Sequence, residues 1–297
     1  MNSTQNFDGW VKSVQVAMEN ALSAFLPQAD IVPERLHQAM RYATLDGGKR
    51  VRPLLVFAAG ALFDADVLAL ARAAAAVEMI HAYSLVHDDM PCMDDDVLRR
   101  GKPTVHVQYD EATALLAGDA LQSQAFIVLS GQDNAPDRTL AMVRLLADAS
   151  GAAGMCGGQA IDLASVGISL SLQQLEQMHR LKTGALLRAS VMLGALCGKF
   201  PSETEEAALD AYADAIGLAF QVVDDILDTT ADSSTLGKTA GKDAADNKPT
   251  YVSILGLEQS MALAEQLRQN AHSALTPFGD RAYFLRELAD LVVRREK

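Results

Sequence analysis

The sequence of 297 residues has few aromatic residues, few cysteines and no long uninterrupted apolar run. Aromatic residues make up only 5% of the chain, and alanine and leucine dominate its apolar residues, a bias that favours helices over strands. The three cysteines (Cys92, Cys156 and Cys197) contain no CxxC pair, so neither a disulfide framework nor a zinc knuckle is expected. We therefore expect a helical protein in a reducing compartment.

Basic residues are also scarce, since 25 lysines and arginines stand against 38 aspartates and glutamates, for a formal net charge of −13. Nucleic acids and anionic membranes require a basic footprint, so we expect neither as a partner. The N-terminal segment MNSTQNFDGW lacks the basic and apolar parts of a secretory signal. Charged residues such as Asp64 and Arg72 interrupt the apolar stretches before they reach the roughly 18 residues that span a bilayer. These absences predict a cytoplasmic protein without a membrane segment.

Helical periodicity runs through nearly the whole sequence, and breakers such as Pro33, Pro91 and Pro201 separate its segments. The pattern predicts helices at residues 8–27, 33–45, 50–63, 66–89, 111–130, 138–151, 154–164, 171–197, 203–228, 250–275 and 279–295. Helices 66–89 and 203–228 are apolar around most of their circumference, so other helices must surround them. Without repeats or linkers, the sequence predicts one all-α domain over residues 1–297, a large helical bundle with a deep central cavity.

An acidic segment ends the apolar helix 66–89 and reads His87-Asp88-Asp89-Met90-Pro91-Cys92-Met93-Asp94-Asp95-Asp96. Clustered carboxylates repel one another and take up protons unless a counter-charge is near. A solvated helix end explains the cluster poorly, because the negative end of the helix dipole disfavours carboxylates. Oxygen ligands combined with a substrate phosphate suit Mg²⁺. The segment therefore predicts a magnesium site that Asp94 reaches from the turn after Pro91.

A second acidic segment, Gln221-Val222-Val223-Asp224-Asp225-Ile226-Leu227-Asp228, has the spacing of a helix. Asp224 and Asp228 are four residues apart and share one face with Gln221 and Gly217. Alone, this face is equally consistent with an ordinary solvated helix surface. Together with the first acidic segment, it predicts two facing sets of carboxylates around a metal-bound diphosphate.

The few basic residues concentrate beside these acidic segments. Lys49 and Arg52 lie where a helix begins, and the free backbone N–H groups there also attract anions. The segment Arg99–Lys102 follows the first acidic cluster, and Lys182 lies within an apolar helix, where an unpaired charge is costly to bury. These positions predict two anion sites, one held by metals and one by basic side chains alone. We expect the following residues to be solvated instead: Arg50, Lys102, Lys242 and the frayed C-terminal tail Arg294–Lys297.

Seven ordered motifs resemble those of the trans-isoprenyl diphosphate synthases, and most closely the bacterial farnesyl diphosphate synthases. They are GGKRVRP, HDDMPCMDDDVLRRGKPT, GDALQSQAF, GMCGGQAIDL, KTGALLRAS, GLAFQVVDDILD and LGKTAGKD with KPTY, spread from Gly47 to Tyr251. The resemblance implies the isoprenoid synthase fold, a homodimer and three Mg²⁺ ions in each active site. It also implies condensation of isopentenyl diphosphate with dimethylallyl and geranyl diphosphate, which yields farnesyl diphosphate and diphosphate.

The resemblance further implies roles for individual residues of this chain. The implied metal ligands are Asp88, Asp94 and Asp224, with Asp89 and Asp228 as secondary candidates. The implied allylic diphosphate contacts are Arg99, Lys182, Lys238 and Lys248. The implied isopentenyl diphosphate site consists of Gly48, Lys49, Arg52, His81 and Arg100. The implied catalytic residues, which also bind the allylic substrate, are Lys182, Thr183 and Gln221; the last two would lend negative charge to the developing carbocation.

The resemblance places the floor that limits product length at Tyr83 and Ser84. A helix rises about 1.5 Å per residue, so Tyr83 lies roughly 7 Å below Asp88. On an ideal helix, however, Tyr83 points well away from Asp88. The aromatic residue at Tyr83 and the two extra residues Pro91 and Cys92 within the aspartate motif resemble enzymes with a C15 product.

Four alternatives remain open at this point. A geranylgeranyl (C20) diphosphate synthase shares every motif except the pocket floor, and a non-catalytic subunit of a prenyl synthase would share the scaffold. A metal phosphohydrolase of the HD type is suggested by the adjacent His87 and Asp88 but would need further histidine ligands. A terpene cyclase would not need the second diphosphate site.

Overall fold

The structure is a computed structural model that describes residues 6–131, 135–230 and 249–295. Helices dominate these ranges: α1 (Phe7–Phe25), α2 (Glu34–Thr44), α3 (Val51–Gly60), α4 (Val67–Asp88), α5 (Val105–Gln108), α6 (Glu111–Ser130), α7 (Pro136–Ser150), α8 (Met155–Ala164), α9 (Leu172–His179), α10 (Ala185–Gly198), α11 (Glu203–Thr230), α12 (Tyr251–Leu255), α13 (Leu257–Ala274) and α14 (Tyr283–Arg294). The predicted all-α fold class is thereby confirmed.

Four short elements differ from the regular α-helices that the sequence predicts. The predicted helix 171–197 contains a π-helical segment, Arg180–Gly184, which joins α9 to α10. A small hairpin pairs β1 (Leu98–Arg99) with β2 (Lys102–Pro103) in antiparallel register. A short 3₁₀ turn follows α3 at Ala61–Phe63, and another precedes α14 at Thr276–Ala282. Helical periodicity alone does not distinguish these local geometries from an α-helix.

Helix α4 lies at the centre of the larger apolar cluster, as its all-round apolar sequence predicts. It packs against α3, α6 and α10, and its residues from Ala73 to Ile80 are all buried. Its start is defined by Asp66, whose side chain accepts hydrogen bonds from the backbone N–H groups of Leu68 and Ala69. The helix ends at Asp88, and the first acidic segment therefore begins at the edge of the core.

A second apolar cluster surrounds α11 and includes Leu218, Val222 and Tyr251. Val51 and Phe220 pack against both clusters, so the core is continuous between the two helices that carry the acidic segments. This continuity fixes α4 and α11 relative to each other.

Arg50 is buried rather than solvated, which corrects the sequence-based expectation. Its side chain is 3% exposed and pairs with Glu78 at 2.6 Å and with Glu19 at 3.1 Å. It also donates a hydrogen bond to the carbonyl oxygen of Thr44 at 2.8 Å. Because Glu78 lies within the apolar run of α4, Arg50 supplies the counter-charge that allows this carboxylate to be buried.

In the part of the chain that the structure describes, three helices are long and apolar enough to span a bilayer by length and composition alone, contrary to the expectation from uninterrupted runs: Val67–Asp88, Glu111–Ser130 and the continuous helix Leu172–Gly198. The difference arises because a spanning window tolerates a few charged residues. In the first and third helices, 67% of the apolar window is buried inside the protein, against 39% in Glu111–Ser130. The core thus accounts for most of the apolar character of α4 and α10.

Candidate active site

The first acidic segment folds back on itself at the end of α4. The backbone N–H of Asp94 donates to the carbonyl oxygen of Asp88 at 2.9 Å, so Asp94 returns from a turn, as the position of Pro91 predicts. Burial raises the pKa of Asp88 to about 6; the Lys182 ammonium opposes this rise and the charge of Asp94 adds to it. The segment therefore holds a carboxylate that lacks sufficient positive charge.

Asp89 is paired with Arg99, and its role as a secondary metal ligand stays a prediction. The carboxylate is 2% exposed, and both of its oxygens accept hydrogen bonds from Arg99, at 2.5 to 2.9 Å. Such a bidentate pair leaves little of the carboxylate for a metal. Adjacent aspartates thus have different partners, and Asp88 remains the one available at the end of α4.

The hairpin between β1 and β2 directs two consecutive arginines to different partners. Arg100 and Gly101 have φ angles of 52° and 76°, the left-handed conformation that a tight two-residue hairpin requires. Arg99 consequently reaches Asp89, whereas Arg100 donates to the carbonyl oxygen of Gly47 at 3.2 Å. A Cβ at Gly48 would lie 2.8 Å from the Arg100 guanidinium, so glycine is needed for this approach.

A basic pocket forms where α3, α4 and the hairpin meet. Burial lowers the pKa of His81 well below its usual value, and the nearby cations Arg52 and Arg100 lower it further. The Arg52 Nε is buried and has no hydrogen-bond partner. Lys49 lies just before α3 and is exposed. The structure thus brings together the residues predicted for a second, metal-free anion site, and their role there stays a prediction.

The π-helical segment presents Lys182 and Thr183 next to residues of α8 and α11. The Lys182 ammonium pairs with Asp162 at 2.5 Å, and the Thr183 hydroxyl donates to the Gln221 side-chain oxygen at 2.6 Å. A Cβ at Gly158 would lie 2.1 Å from the Lys182 backbone nitrogen, so α8 packs directly on this segment. A π-helical turn within an α-helix is a feature common at functional sites.

Asp224 has an unexpected partner, Arg295, which directly follows α14. The two side chains pair at 2.7 Å, and Arg295 also donates to the carbonyl oxygen of Phe220 and lies 3.8 Å from the centre of its ring. The Arg295 side chain is 8% exposed, so the expectation of a frayed tail is wrong at this residue. Asp228, one turn further along α11, is buried.

The acidic residues fit a divalent cation whose remaining ligands come from substrate or water. Within residues 6–131, 135–230 and 249–295, no three metal-binding side chains form a ready-made cluster. Asp88 nevertheless has the raised pKa of a carboxylate in need of positive charge, and the nearby Asp94 and Asp89 supply further carboxylate oxygens. Carboxylate, water and phosphate oxygens are the ligand set that Mg²⁺ prefers.

Tyr83 and Ser84 occupy different environments on α4. The Tyr83 ring is 5% exposed and lies edge-on to the His87 ring at 5.8 Å. The Ser84 hydroxyl donates to the carbonyl oxygen of His81 within the helix. The Tyr83 ring therefore packs against His87 of its own helix, and its hydroxyl lies 3.5 Å from the Cys156 Sγ of α8.

Comparison with protein families identifies the family of this chain. A family model described as "Polyprenyl synthetase" matches residues 33–280. The chain belongs to the polyprenyl synthetase family. Its sequence-based identification is thus confirmed, and with it the isoprenoid synthase fold.

Several members of the polyprenyl synthetase family resemble the chain along nearly its whole length. A Bradyrhizobium diazoefficiens protein named "Probable farnesyl diphosphate synthase" is 51% identical over 282 residues, covering 94% of this chain and 85% of that protein. The Escherichia coli "Farnesyl diphosphate synthase" is 47% identical over 303 residues, covering 100% of both. An Arabidopsis thaliana "Geranylgeranyl pyrophosphate synthase 11, chloroplastic" is 45% identical, covering 99% of this chain and 84% of that protein.

Solved structures of polyprenyl synthetases share the fold. An FPP/GFPP synthase from Zymomonas mobilis superimposes with a TM-score of 0.87 at 42% identity, covering 97% of this chain and 99% of that one. A geranyltransferase from Helicobacter pylori, solved with magnesium and isoprenyl diphosphate, gives a TM-score of 0.85 at 32% identity, covering 99% of this chain and 98% of that one.

Two predicted site residues, Lys238 and Lys248, lie outside the described residues, as does Lys242, which the sequence predicts to be solvated. Sequence reasoning named no partner for Lys182 or for Asp224; the structure shows these to be Asp162 and Arg295. The only local signal for Asp162 is its position in a helix with few other charges. Arg295 carries no local signal because its partner is 71 residues away in the chain.

Proposed function

We propose that this chain is a Mg²⁺-dependent prenyltransferase that condenses isopentenyl diphosphate with dimethylallyl and geranyl diphosphate to give farnesyl diphosphate and diphosphate. The observation that carries the proposal is the pair of distinct anion environments around α4. Asp88 lies beside Lys182 at the end of the helix, whereas Arg52, His81 and Arg100 form a basic pocket. The relatives named farnesyl diphosphate synthase support the same conclusion.

The allylic diphosphate binds at the end of α4 in this proposal. Asp88, Asp94 and Asp224 would hold three Mg²⁺ ions there, and Lys182 would contact the same diphosphate from the π-helical segment. When bound, Mg²⁺ neutralises the negative charge of the departing diphosphate. Asp162 holds the Lys182 ammonium at 2.5 Å and so limits the positions it can take.

Thr183 and Gln221 stabilise the positive charge that develops on the allylic carbon. Their hydrogen bond of 2.6 Å joins the π-helical segment to α11 and orients both oxygens. Because the Thr183 hydroxyl donates to Gln221, its lone pairs are free to face a cation. Fixed dipoles of this kind act without reorganising during the reaction.

Isopentenyl diphosphate binds in the basic pocket. Arg52, Arg100 and Lys49 neutralise its diphosphate, and the unpartnered Arg52 Nε offers one hydrogen-bond donor. The nucleophile is the alkene itself, so no activated side chain is required. The released diphosphate takes the final proton, and the protein contributes positioning and exclusion of water.

Product analysis tests the proposal directly. The purified protein is incubated with isopentenyl and dimethylallyl diphosphates and Mg²⁺, and the products are dephosphorylated and separated by chromatography. We expect farnesol as the main alcohol. Geranylgeraniol as the main alcohol would instead favour the C20 alternative, which is the activity in the name of the Arabidopsis relative. Absence of any prenyl alcohol would favour the non-catalytic subunit.

We further propose a cytoplasmic homodimer in which α6 contributes to the interface. Leu115, Leu116 and Ile127 on this helix are 47%, 56% and 62% exposed, an apolar surface that a second copy would cover. We likewise propose a single domain over residues 1–297, which is supported by Val51 and Phe220 because both pack against the two apolar clusters. Sedimentation equilibrium tests the dimer, and Leu116→Glu should convert it to a monomer.

A further inference from the structure

The segment between α2 and α3, residues 45–50, has an unusual backbone and is called the 45–50 loop below. Four of its residues have positive φ angles of 60°, 146°, 91° and 55°: Asp46, Gly47, Gly48 and Arg50. Asp46 and Arg50 carry a Cβ, and such residues rarely keep a left-handed conformation unless their surroundings hold them in it. The shape of the loop therefore depends on contacts with other elements.

Helix α1 provides part of this support through a single carboxylate. The Glu19 Oε1 accepts a hydrogen bond from the backbone N–H of Asp46 at 2.7 Å. Its Oε2 pairs with the Arg50 guanidinium at 3.1 Å. Asp46 and Arg50 stand at the two ends of the left-handed stretch, so Glu19 connects both ends and fixes the distance between them.

A second side chain of α1, Gln15, holds the loop between these two contacts. Its side-chain amide donates a hydrogen bond to the carbonyl oxygen of Lys49 at 3.2 Å. Gln15 and Glu19 are four residues apart, so they share the face of α1 that meets the loop. The Arg100 guanidinium donates to the carbonyl oxygen of Gly47 at 3.2 Å. The loop is thus held by α1 and by the hairpin together.

The loop leads directly into the basic pocket. Lys49 belongs to the loop, and Arg52 follows in the first turn of α3. Arg50 also pairs with Glu78 at 2.6 Å, and Glu78 lies three residues before His81 on α4, which is about one helical turn. A displacement of the loop therefore changes the positions of Lys49 and Arg52 relative to His81.

We propose that Glu19 and Gln15 of α1 are positioning residues for isopentenyl diphosphate, because they fix the loop that presents Lys49 to the substrate diphosphate. This inference rests on the proposed function, which assigns the basic pocket to that substrate. Both residues act through the backbone of the loop and through Arg50. Helix α1 precedes residues 33–280, the range that the family model matches, and so contributes to the site from outside that range.

Charge alone predicts the opposite effect for Glu19. Its carboxylate places a negative charge near a basic pocket, so its removal raises the positive potential there and should strengthen the binding of an anion. Positioning predicts weaker binding, because Arg50 loses one of its two carboxylate partners and the Asp46 N–H loses its acceptor. The sign of the change in affinity therefore distinguishes the two effects.

Steady-state kinetics of Glu19→Ala test the inference. The KM for isopentenyl diphosphate should rise about 10- to 100-fold, while kcat and the KM for geranyl diphosphate stay within about twofold of the wild type. Glu19→Gln retains an oxygen that can accept from the Asp46 N–H and should give an intermediate KM. Asn20→Ala, at an exposed neighbour on α1, is the matched control and should keep the wild-type values. An unchanged or lower KM for isopentenyl diphosphate, or an equal rise in both KM values, would overturn the inference.

Gln15→Ala provides a milder perturbation of the same loop. It removes one hydrogen bond and should raise the KM for isopentenyl diphosphate about 2- to 10-fold, with an unchanged far-ultraviolet circular dichroism spectrum. This variant decides the question if Glu19→Ala does not fold. A folded Gln15→Ala protein with the wild-type KM would then refute the role of α1.

Calorimetric titration with inorganic diphosphate in EDTA separates this inference from the proposed function, because it requires no turnover. We expect the Kd of Glu19→Ala to exceed that of the wild type about 10-fold or more, and the Kd of Asn20→Ala to equal it. If the wild type forms no prenyl alcohol but this difference is found, the proposed function fails and α1 still positions an anion-binding loop. If the wild type forms farnesol and all variants bind diphosphate alike, only the inference fails. A wild type that binds no diphosphate in EDTA would also overturn the inference.

Discussion

The ion pair between Arg295 and Asp224 makes a strong test of the site, because it joins the C-terminal end of the chain to a predicted metal ligand. Arg295→Ala removes a pair at 2.7 Å, a hydrogen bond to the Phe220 carbonyl and a cation–π contact at 3.8 Å. A fully buried pair that loses one partner costs about 3–5 kcal/mol. The Asp224 side chain is 41% exposed and regains water, so we expect a smaller loss of about 2 kcal/mol.

This loss converts into a melting-temperature shift that is easy to measure. An unfolding entropy of about 2.1 cal/mol/K per residue gives roughly 0.6 kcal/mol/K for a chain of 297 residues. The Tm of Arg295→Ala should therefore fall by about 3 °C in metal-free buffer. Arg294→Ala is the matched control, because its side chain is 68% exposed and its distance to Asp290 is 3.8 Å. Its Tm should change by less than about 1 °C.

Magnesium with inorganic diphosphate should abolish the difference in Tm between the wild type and Arg295→Ala. If Asp224 binds Mg²⁺, the ion displaces Arg295, and the loaded wild-type protein no longer contains the pair. Differential scanning calorimetry should then show nearly equal Tm values for the loaded wild type and the loaded variant, so the ligand-induced rise is about 3 °C larger in Arg295→Ala. A difference that persists unchanged after loading would refute Asp224 as a ligand, and an equal effect of Arg294→Ala would refute the structural argument.

Three further predictions follow from the charges of the site and of the core. Asp88→Ala and Asp224→Ala should each lower kcat by about 10³-fold or more, with an unchanged far-ultraviolet circular dichroism spectrum; an unaltered rate and Mg²⁺ requirement would remove the assigned role. The pKa of Asp88 is about 6 in the folded protein and thus above the usual 3.8, so the stability that this group contributes is present below about pH 4 and lost as the pH rises through 6. Urea midpoints of wild type and Asp88→Asn should accordingly diverge over this range in metal-free buffer, and parallel profiles would contradict the raised pKa. Arg50→Ala leaves Glu78 buried without its partner and should cost about 3–5 kcal/mol, or roughly 5–8 °C in Tm, whereas Lys102→Ala at an exposed pair should change Tm by less than about 1 °C.

The elements of the fold could be predicted from sequence because their signals are local. Helical periodicity located α4 and α11, and the cost of burying acid within them marked Asp88 and Asp224. The turn that returns Asp94 followed from Pro91, which cannot continue the helix. The π-helical segment was missed because its periodicity differs from that of an α-helix by a single residue, although Lys182 in an apolar run marked the same place.

The partners of the charged residues could not be predicted in the same way. Arg50 was expected in solvent and is buried against Glu78, and Asp89 was expected near a metal and is bound by Arg99. Neighbouring aspartates of identical chemistry thus have different partners, because the hairpin places Arg99 against only one of them. The type of a residue indicates that its charge needs a partner. It does not indicate which of several residues, distant in sequence, provides that partner.

The amino-acid sequence by itself determined the helices, the apolar faces and the positions at which carboxylates must be buried, because each depends on neighbours within one or two turns. Only the tertiary structure decided which side chains balance these charges: Asp162 for Lys182, Arg99 for Asp89 and Arg295 for Asp224. The physical reason is that electrostatic attraction depends on separation in space and on exclusion of water. Both are set when helices from distant parts of the chain pack together.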